Sequence, residues 1–123
     1  MRTRTHVTAA AILSVAVVLC FGATPAMAHA RLVSAEPAAN ASVAVPATIV
    51  LRFNEALQAR LSNFKLTDID GKAVAITAKP APDEKSLAAT PNAPLAPGLY
   101  TVSWTVAGPD AHAMKGTYSF SVK

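Results

Sequence analysis

Leu99-Tyr100-Thr101-Val102-Ser103-Trp104-Thr105-Val106 alternates with a period of two: Tyr100, Val102, Trp104 and Val106 fall on one face, Thr101, Ser103 and Thr105 on the other. An extended strand turns successive side chains to opposite faces, so this stretch predicts a β-strand with one buried face. The last run of the chain repeats the device, with Tyr118, Phe120 and Val122 opposite Thr117, Ser119 and Ser121. Upstream, Ile49, Leu51 and Phe53 alternate with Val50 and Arg52 and are expected to face the core. Working outward gives seven predicted strands, at residues 30–33, 48–53, 63–69, 72–78, 86–89, 99–107 and 117–122. Asp70-Gly71 between two of them reads as a two-residue type I′ hairpin turn, which would place Phe64 and Leu66 on one face with Val74 and Ile76. Only residues 54–61 have the pattern of a helical turn. Eight prolines beyond residue 28 stand mostly between the runs, where a missing N–H removes no ladder bond. The expected fold is all-β, a Greek-key sandwich of immunoglobulin-like type with about seven strands.

The first 28 residues follow another rule. Arg2 and Arg4 give a positive start, residues 9–21 form an apolar run broken only by Ser14, and Pro25-Ala26-Met27-Ala28 ends it with small residues. This is the pattern of a cleavable secretory signal peptide. A membrane anchor would need about 20 apolar residues, more than this run supplies. Lipidation at Cys20 would want small residues ahead of it, where Val18 and Leu19 stand. The expected division is therefore a signal peptide at 1–28 and one domain at 29–123, with His29 as the mature N-terminus.

The chain of 123 residues is 52% hydrophobic, and much of that excess belongs to the leader. Beyond residue 28 there is no cysteine, which excludes disulfides, thiolate metal sites and a thiol nucleophile. Nine Lys and Arg face seven Asp and Glu in that part, a net charge of +2 with no basic stripe, so no nucleic-acid partner is expected. Two histidines remain, His29 and His112, too few for a Ser-His-Asp set beside any other role. His112 follows Asp110 by two residues in the segment joining the last two strands.

If the sandwich brings its N-terminus beside that segment, the α-amine and Nδ1 of His29 can chelate one metal ion. His112 would add an imidazole and Asp110 a carboxylate oxygen. Three nitrogens and one oxygen without thiolate suit tetragonal Cu(II), with Ni(II) or zinc as weaker fits. Plainer readings stand beside this one: His112 as a solvated loop residue, and Asp110 as an Asx turn bonding its own backbone. Met114 reads as packing, and Glu36 or Glu55 as residues that orient an imidazole N–H or only shape turns.

His29-Ala30-Arg31-Leu32, Glu36-Pro37, Leu51-Arg52-Phe53-Asn54-Glu55, Asp70-Gly71-Lys72, the Pro97-Gly98 run into Trp104, and Asp110-Ala111-His112 followed by Gly116-Thr117-Tyr118-Ser119-Phe120-Ser121-Val122 together resemble the CopC family of periplasmic copper-resistance proteins. The resemblance spans essentially the whole of 29–123. It implies a Greek-key sandwich that binds Cu(II) through the amine and imidazole of the N-terminal histidine and through an Asp-x-His motif. Those positions are His29, Asp110 and His112. Ala111 stands where the family commonly has glycine, and Gly108-Pro109 precedes, which implies a stiffer loop. Some members add a Cu(I) site of clustered methionines; Met114 alone cannot build one.

The function so implied is an exported, periplasmic or otherwise extracytoplasmic Cu(II)-binding protein of copper resistance or homeostasis, a binder and not an enzyme. The copper ion is its expected partner, a CopD-like membrane copper transporter a second, and the chain is expected to be a monomer. Two other readings differ in class: a copper-dependent oxidative enzyme with an N-terminal histidine brace, and a metal-free interaction module for a membrane copper transporter.

Overall fold

The computed structural model describes residues 29–123; the expected signal peptide, 1–28, lies outside them. Nine strands form two sheets. One holds β1 (Leu32–Glu36), β3 (Ile49–Phe53), β7 (Ser86–Pro91) and β6 (Ile76–Lys79), in the order β1-β3-β7-β6. The other holds β2 (Ser42–Val43), β9 (Ala113–Val122), β8 (Gly98–Ala107), β4 (Asn63–Asp68) and β5 (Ala73–Val74), in the order β2-β9-β8-β4-β5. The chain changes sheet on entering and leaving β2 and again between β3 and β4, β5 and β6, and β7 and β8, so the β4–β5, β6–β7 and β8–β9 hairpins alternate between the sheets. Every pair is antiparallel except β2 with β9.

The predicted inward faces meet between the sheets. Ile49, Leu51, Val102, Val106 and Phe120 are fully buried, joined by Phe53, Leu66, Tyr100, Tyr118 and Val122. Fully burying one such aliphatic or aromatic side chain contributes about 1.5–3 kcal/mol, which is how so short a chain offsets its ordering entropy without disulfides. Trp104 lies at the rim, its ring edge-on to Phe53 with centroids 5.2 Å apart. Its cross-strand partner is Gly116. A Cβ there would sit 2.6 Å from the indole Cε2, so glycine is what lets the ring lie across β9.

The structure corrects several boundaries. The predicted strand 72–78 is two strands in different sheets, β5 and β6, with Ala75 between them. The final strand starts at Ala113, four residues earlier than predicted, and the first starts at Leu32 rather than residue 30. β2 was not foreseen. The helical turn expected within 54–61 is a single 3-10 turn, Ala59–Leu61. At Asp70-Gly71 the turn is not type I′, because Gly71 has positive φ (+78°) and Asp70 does not. Instead Gly71 N–H donates to the Asp68 carbonyl and Asp68 N–H to the Lys72 carbonyl, closing a three-residue loop with glycine at its left-handed position. Asp68 Oδ1 accepts from the N–H groups of Asp70 and Lys72, both at 2.9 Å, and fixes that loop from within.

Candidate metal centre

Two pieces of chain from different sheets meet at one end of the sandwich. The first is the arm that leads into β1. Ala30 is buried, and Arg31 and His29 lie beside Asn54, just past the end of β3. Asn54 holds them: its Oδ1 accepts from Arg31 N–H at 2.7 Å, its Nδ2 donates to the His29 carbonyl at 3.4 Å, and its own N–H donates to the Arg31 carbonyl. The register of β1 on β3 slips between Leu32 and Ser34, leaving Val33 outward and re-aiming the arm.

The second piece is the β8–β9 connection, 108–112, which follows the last cross-strand pair, Ala107 with Ala113. Ala111 N–H donates to the Gly108 carbonyl, and Ala111 has φ +62°, a left-handed conformation that costs an L-residue with a Cβ roughly 1–2 kcal/mol. That φ accounts for glycine being common there in the family resembled, and it turns Asp110 and His112 to the same side. His112 N–H donates to Asp110 Oδ1 at 3.2 Å, an Asx turn, while Asp110 Oδ2 lies 3.0 Å from His112 Nδ1.

The arm places His29 against this loop. His29 Nδ1 is 3.8 Å from Asp110 Oδ2, and the two imidazole rings are tilted at 55° with centroids 6.1 Å apart. One ligand atom from each of His29, Asp110 and His112 can be chosen so that all lie within 4.8 Å of one another. His29 Nδ1 is buried without a hydrogen-bond partner, an orphaned polar atom of the kind that ordinarily finds one. The backbone N–H of His112 is the main influence on the Asp110 carboxyl; desolvation, next in size, opposes it, and the His112 and then the His29 side chains add to the lowering, so that the carboxyl is held below the ordinary carboxylate value. Asp110 therefore presents a charged oxygen between two imidazoles, a donor set that fits a divalent transition metal.

The other residues weighed in the sequence separate clearly. Glu55 Oε2 is buried beneath the loop without a hydrogen-bond partner, so close to Gly108 that a Cβ on that glycine would stand 2.7 Å from it. Glu36 pairs with Val50 at the far end of β1, about 13 Å along the strand from Leu32, and is no part of the cluster. Met114 packs against the core opposite Val106, as expected for packing. Gln58 and Ser62 were missed: Gln58 Nε2 donates to the Gly108 carbonyl at 2.9 Å, and Ser62 Oγ accepts from Ala107 N–H at 3.1 Å. Single polar residues in a loop carry no periodicity that would have announced these bonds.

A sandwich that gathers a histidine-bearing arm ahead of its first strand and an Asp-x-His hairpin at one end belongs to the class of small β-proteins with an open, nitrogen-rich metal-type cluster. The chain belongs to the CopC domain family, whose sequence profile matches residues 32–123. It is 44% identical over 105 residues to copper resistance protein C of Xanthomonas campestris pv. juglandis, covering 80% of this chain and 83% of that one. It is 40% identical over 106 residues to copper resistance protein C of Escherichia coli, covering 80% and 84%. Among solved structures, the fold matches PcoC, a methionine-rich copper resistance protein from Escherichia coli, with TM-score 0.72 and 38% identity over 78% of this chain and all of that one. CopC from Methylosinus trichosporium OB3b matches with TM-score 0.70 and 34% identity over 77% of this chain and 94% of that one.

Proposed function

We propose that this protein is an exported Cu(II)-binding protein of copper resistance, holding one ion through His29, Asp110 and His112. The observation that carries the reading is the convergence of these three ligand atoms within 4.8 Å, one of them a buried nitrogen without a partner. Once residues 1–28 are removed as a signal peptide, His29 gains a free α-amine that can close a chelate ring with its own Nδ1. The set becomes three nitrogens and one carboxylate oxygen, which favours Cu(II) among the divalent ions. Family membership and relatives named for copper resistance support copper as the cargo.

The protein binds and releases; it does not turn substrate over. A carboxylate among the ligands favours Cu(II) over Cu(I) and so works against the redox cycling that an oxidative enzyme needs. Met114 is the one methionine within 29–123, too few for a thioether Cu(I) site, in contrast to the relative described as methionine-rich. Export places the domain outside the cytoplasm, periplasmic where the envelope has two membranes, and no helix among the described residues is long and apolar enough to cross a membrane. It acts as a monomer, with a CopD-like membrane copper transporter as the partner that receives the ion.

The test is an electron paramagnetic resonance spectrum at one equivalent of Cu(II), on protein whose N-terminus is verified as His29. A tetragonal spectrum with nitrogen couplings, weakened on His112→Ala and on adding one residue ahead of His29, is expected. The spectrum of free copper would overturn the reading.

A further inference from the structure

The two halves of the cluster belong to different sheets and are separated by about eighty residues of chain. The arm enters β1 of the four-stranded sheet, and the loop joins β8 to β9 of the five-stranded one. Between them the only polar approach is His29 Nδ1 to Asp110 Oδ2 at 3.8 Å, too long for a hydrogen bond. The buried Ala30 methyl lies near Gly108, a contact without direction. Something else must hold the halves at ligand distance.

One segment touches both. Residues 54–62 leave β3 in the first sheet and enter β4 in the second, crossing the sandwich at this end. At its start Asn54 bonds the arm through both functions of its amide. At its middle Gln58 bonds the end of β8 by N–H to the Ala107 carbonyl at 2.8 Å and the first residue of the loop by Nε2 to the Gly108 carbonyl at 2.9 Å. At its end the buried Ser62 hydroxyl takes the Ala107 N–H. A 3-10 turn, Ala59–Leu61, with Leu61 N–H donating to the Gln58 carbonyl, makes the stretch between the loop contacts short and stiff.

We propose that residues 54–62 act as a spacer that sets the separation of His29 from Asp110 and His112, with Asn54 the positioning residue for the arm and Gln58 for the loop. Taken to copper, this rests on the proposed Cu(II) site; taken to the metal-free protein, it stands on its own. The Asn54 amide offers an acceptor to Arg31 N–H and a donor to the His29 carbonyl at once, whereas aspartate, of equal shape, keeps the first bond and loses the second. Gln58→Glu likewise removes the donor to Gly108.

Each bridge should act through its own half. On the protein beginning at His29, Asn54→Ala is expected to lower Cu(II) affinity by about 10–100-fold, the usual cost of removing a group that orients a ligand. The same substitution made on top of His29→Ala should cost clearly less than in the parent, since the arm it positions then keeps only its α-amine as a ligand. Gln58→Ala, in contrast, should keep its full effect in the His29→Ala background. Without metal, proton NMR should show ring-to-ring contacts between His29 and His112, lost in Asn54→Ala and weakened in Asn54→Asp. The aspartate variant retains the Arg31 bond and guards against a simple loss of folding.

An undiminished cost of Asn54→Ala on top of His29→Ala, or unchanged ring contacts in both Asn54 variants, would overturn the spacer. If the parent protein bound no Cu(II), the copper reading would fall, while the metal-free NMR measurement would still decide the spacer.

Discussion

Two hairpin loops in this sandwich use the same device to different ends. In the β4–β5 loop Asp68 Oδ1 accepts from two backbone N–H groups and Gly71 takes the left-handed position. In the β8–β9 loop Asp110 Oδ1 accepts from one, that of His112, and Ala111 takes the left-handed position. The first carboxylate engages only Oδ1, within its own turn, with the strain-free residue where strain would arise. The second also engages Oδ2, 3.0 Å from Nδ1 of the His112 imidazole, in a loop whose backbone carries the cost of a Cβ at positive φ. The same Asx geometry thus stabilises a turn in one place and in the other aims the second carboxylate oxygen at an imidazole; what separates them is the histidine two residues on.

The largest effect should come from substitutions that exchange these roles. His112→Ala or Asp110→Ala should lower Cu(II) affinity by more than the about 10–100-fold that follows loss of a ligand's hydrogen-bond partner, read by competition with a chelator of known strength. Asp68→Ala should leave copper untouched and lower stability by about 1 kcal/mol, the net worth of a hydrogen bond or so, read by urea unfolding. A copper defect in Asp68→Ala would erase the distinction between the loops.

Next in size is the left-handed residue. Gly71→Ala introduces no clash, since nothing lies within 4 Å of the added Cβ, so its cost should be conformational alone, about 1–2 kcal/mol. Ala111→Gly should act in reverse but by less, a gain of about 0.5–1 kcal/mol, because glycine's greater freedom in the unfolded chain offsets part of the relief. At about 4–8 °C per kcal/mol for a domain of this size, thermal unfolding resolves both. An unstabilised Ala111→Gly protein would show that the loop relaxes out of the left-handed region in solution.

The contrast between pattern and contact explains what was legible beforehand. Ile49, Leu51, Phe53, Val102 and Phe120 were readable because period-two burial is a property of the local chain. The break between β5 and β6 was not, because Val74 and Ile76 both point into one core from opposite sheets, so the alternation continues unbroken across Ala75. The early start of β9 was hidden by Gly116, which looks like a turn residue until Trp104 is seen lying over it. At the cluster, the residue types were legible and their approach was not, since it depends on side-chain bonds from Asn54, Gln58 and Ser62. The Asx turn had stood as a rival to a ligand role for Asp110. It is the means by which Oδ2 is aimed, because a carboxylate has two oxygens.

The smallest predicted effect is a difference of zero in a slope. The Asp110 carboxyl is held below its ordinary value, first by the His112 N–H, so it stays charged through mild acid. A lowered folded pKa gives a contribution that is present above the unfolded value and lost only as pH falls through the lower one. Any weakening of copper binding in mild acid is therefore expected to arise from groups other than the Asp110 carboxyl, since metal ligands must be deprotonated to bind and this one already is. Asp110→Asn removes the charge and keeps the Asx acceptor. It should weaken binding at every pH while leaving the rise of log Kd with acidity parallel to that of the parent. Titrations at several pH values check this directly: converging lines would mean that Asp110 takes up a proton as the ion leaves, and that its carboxylate is itself part of the acid response.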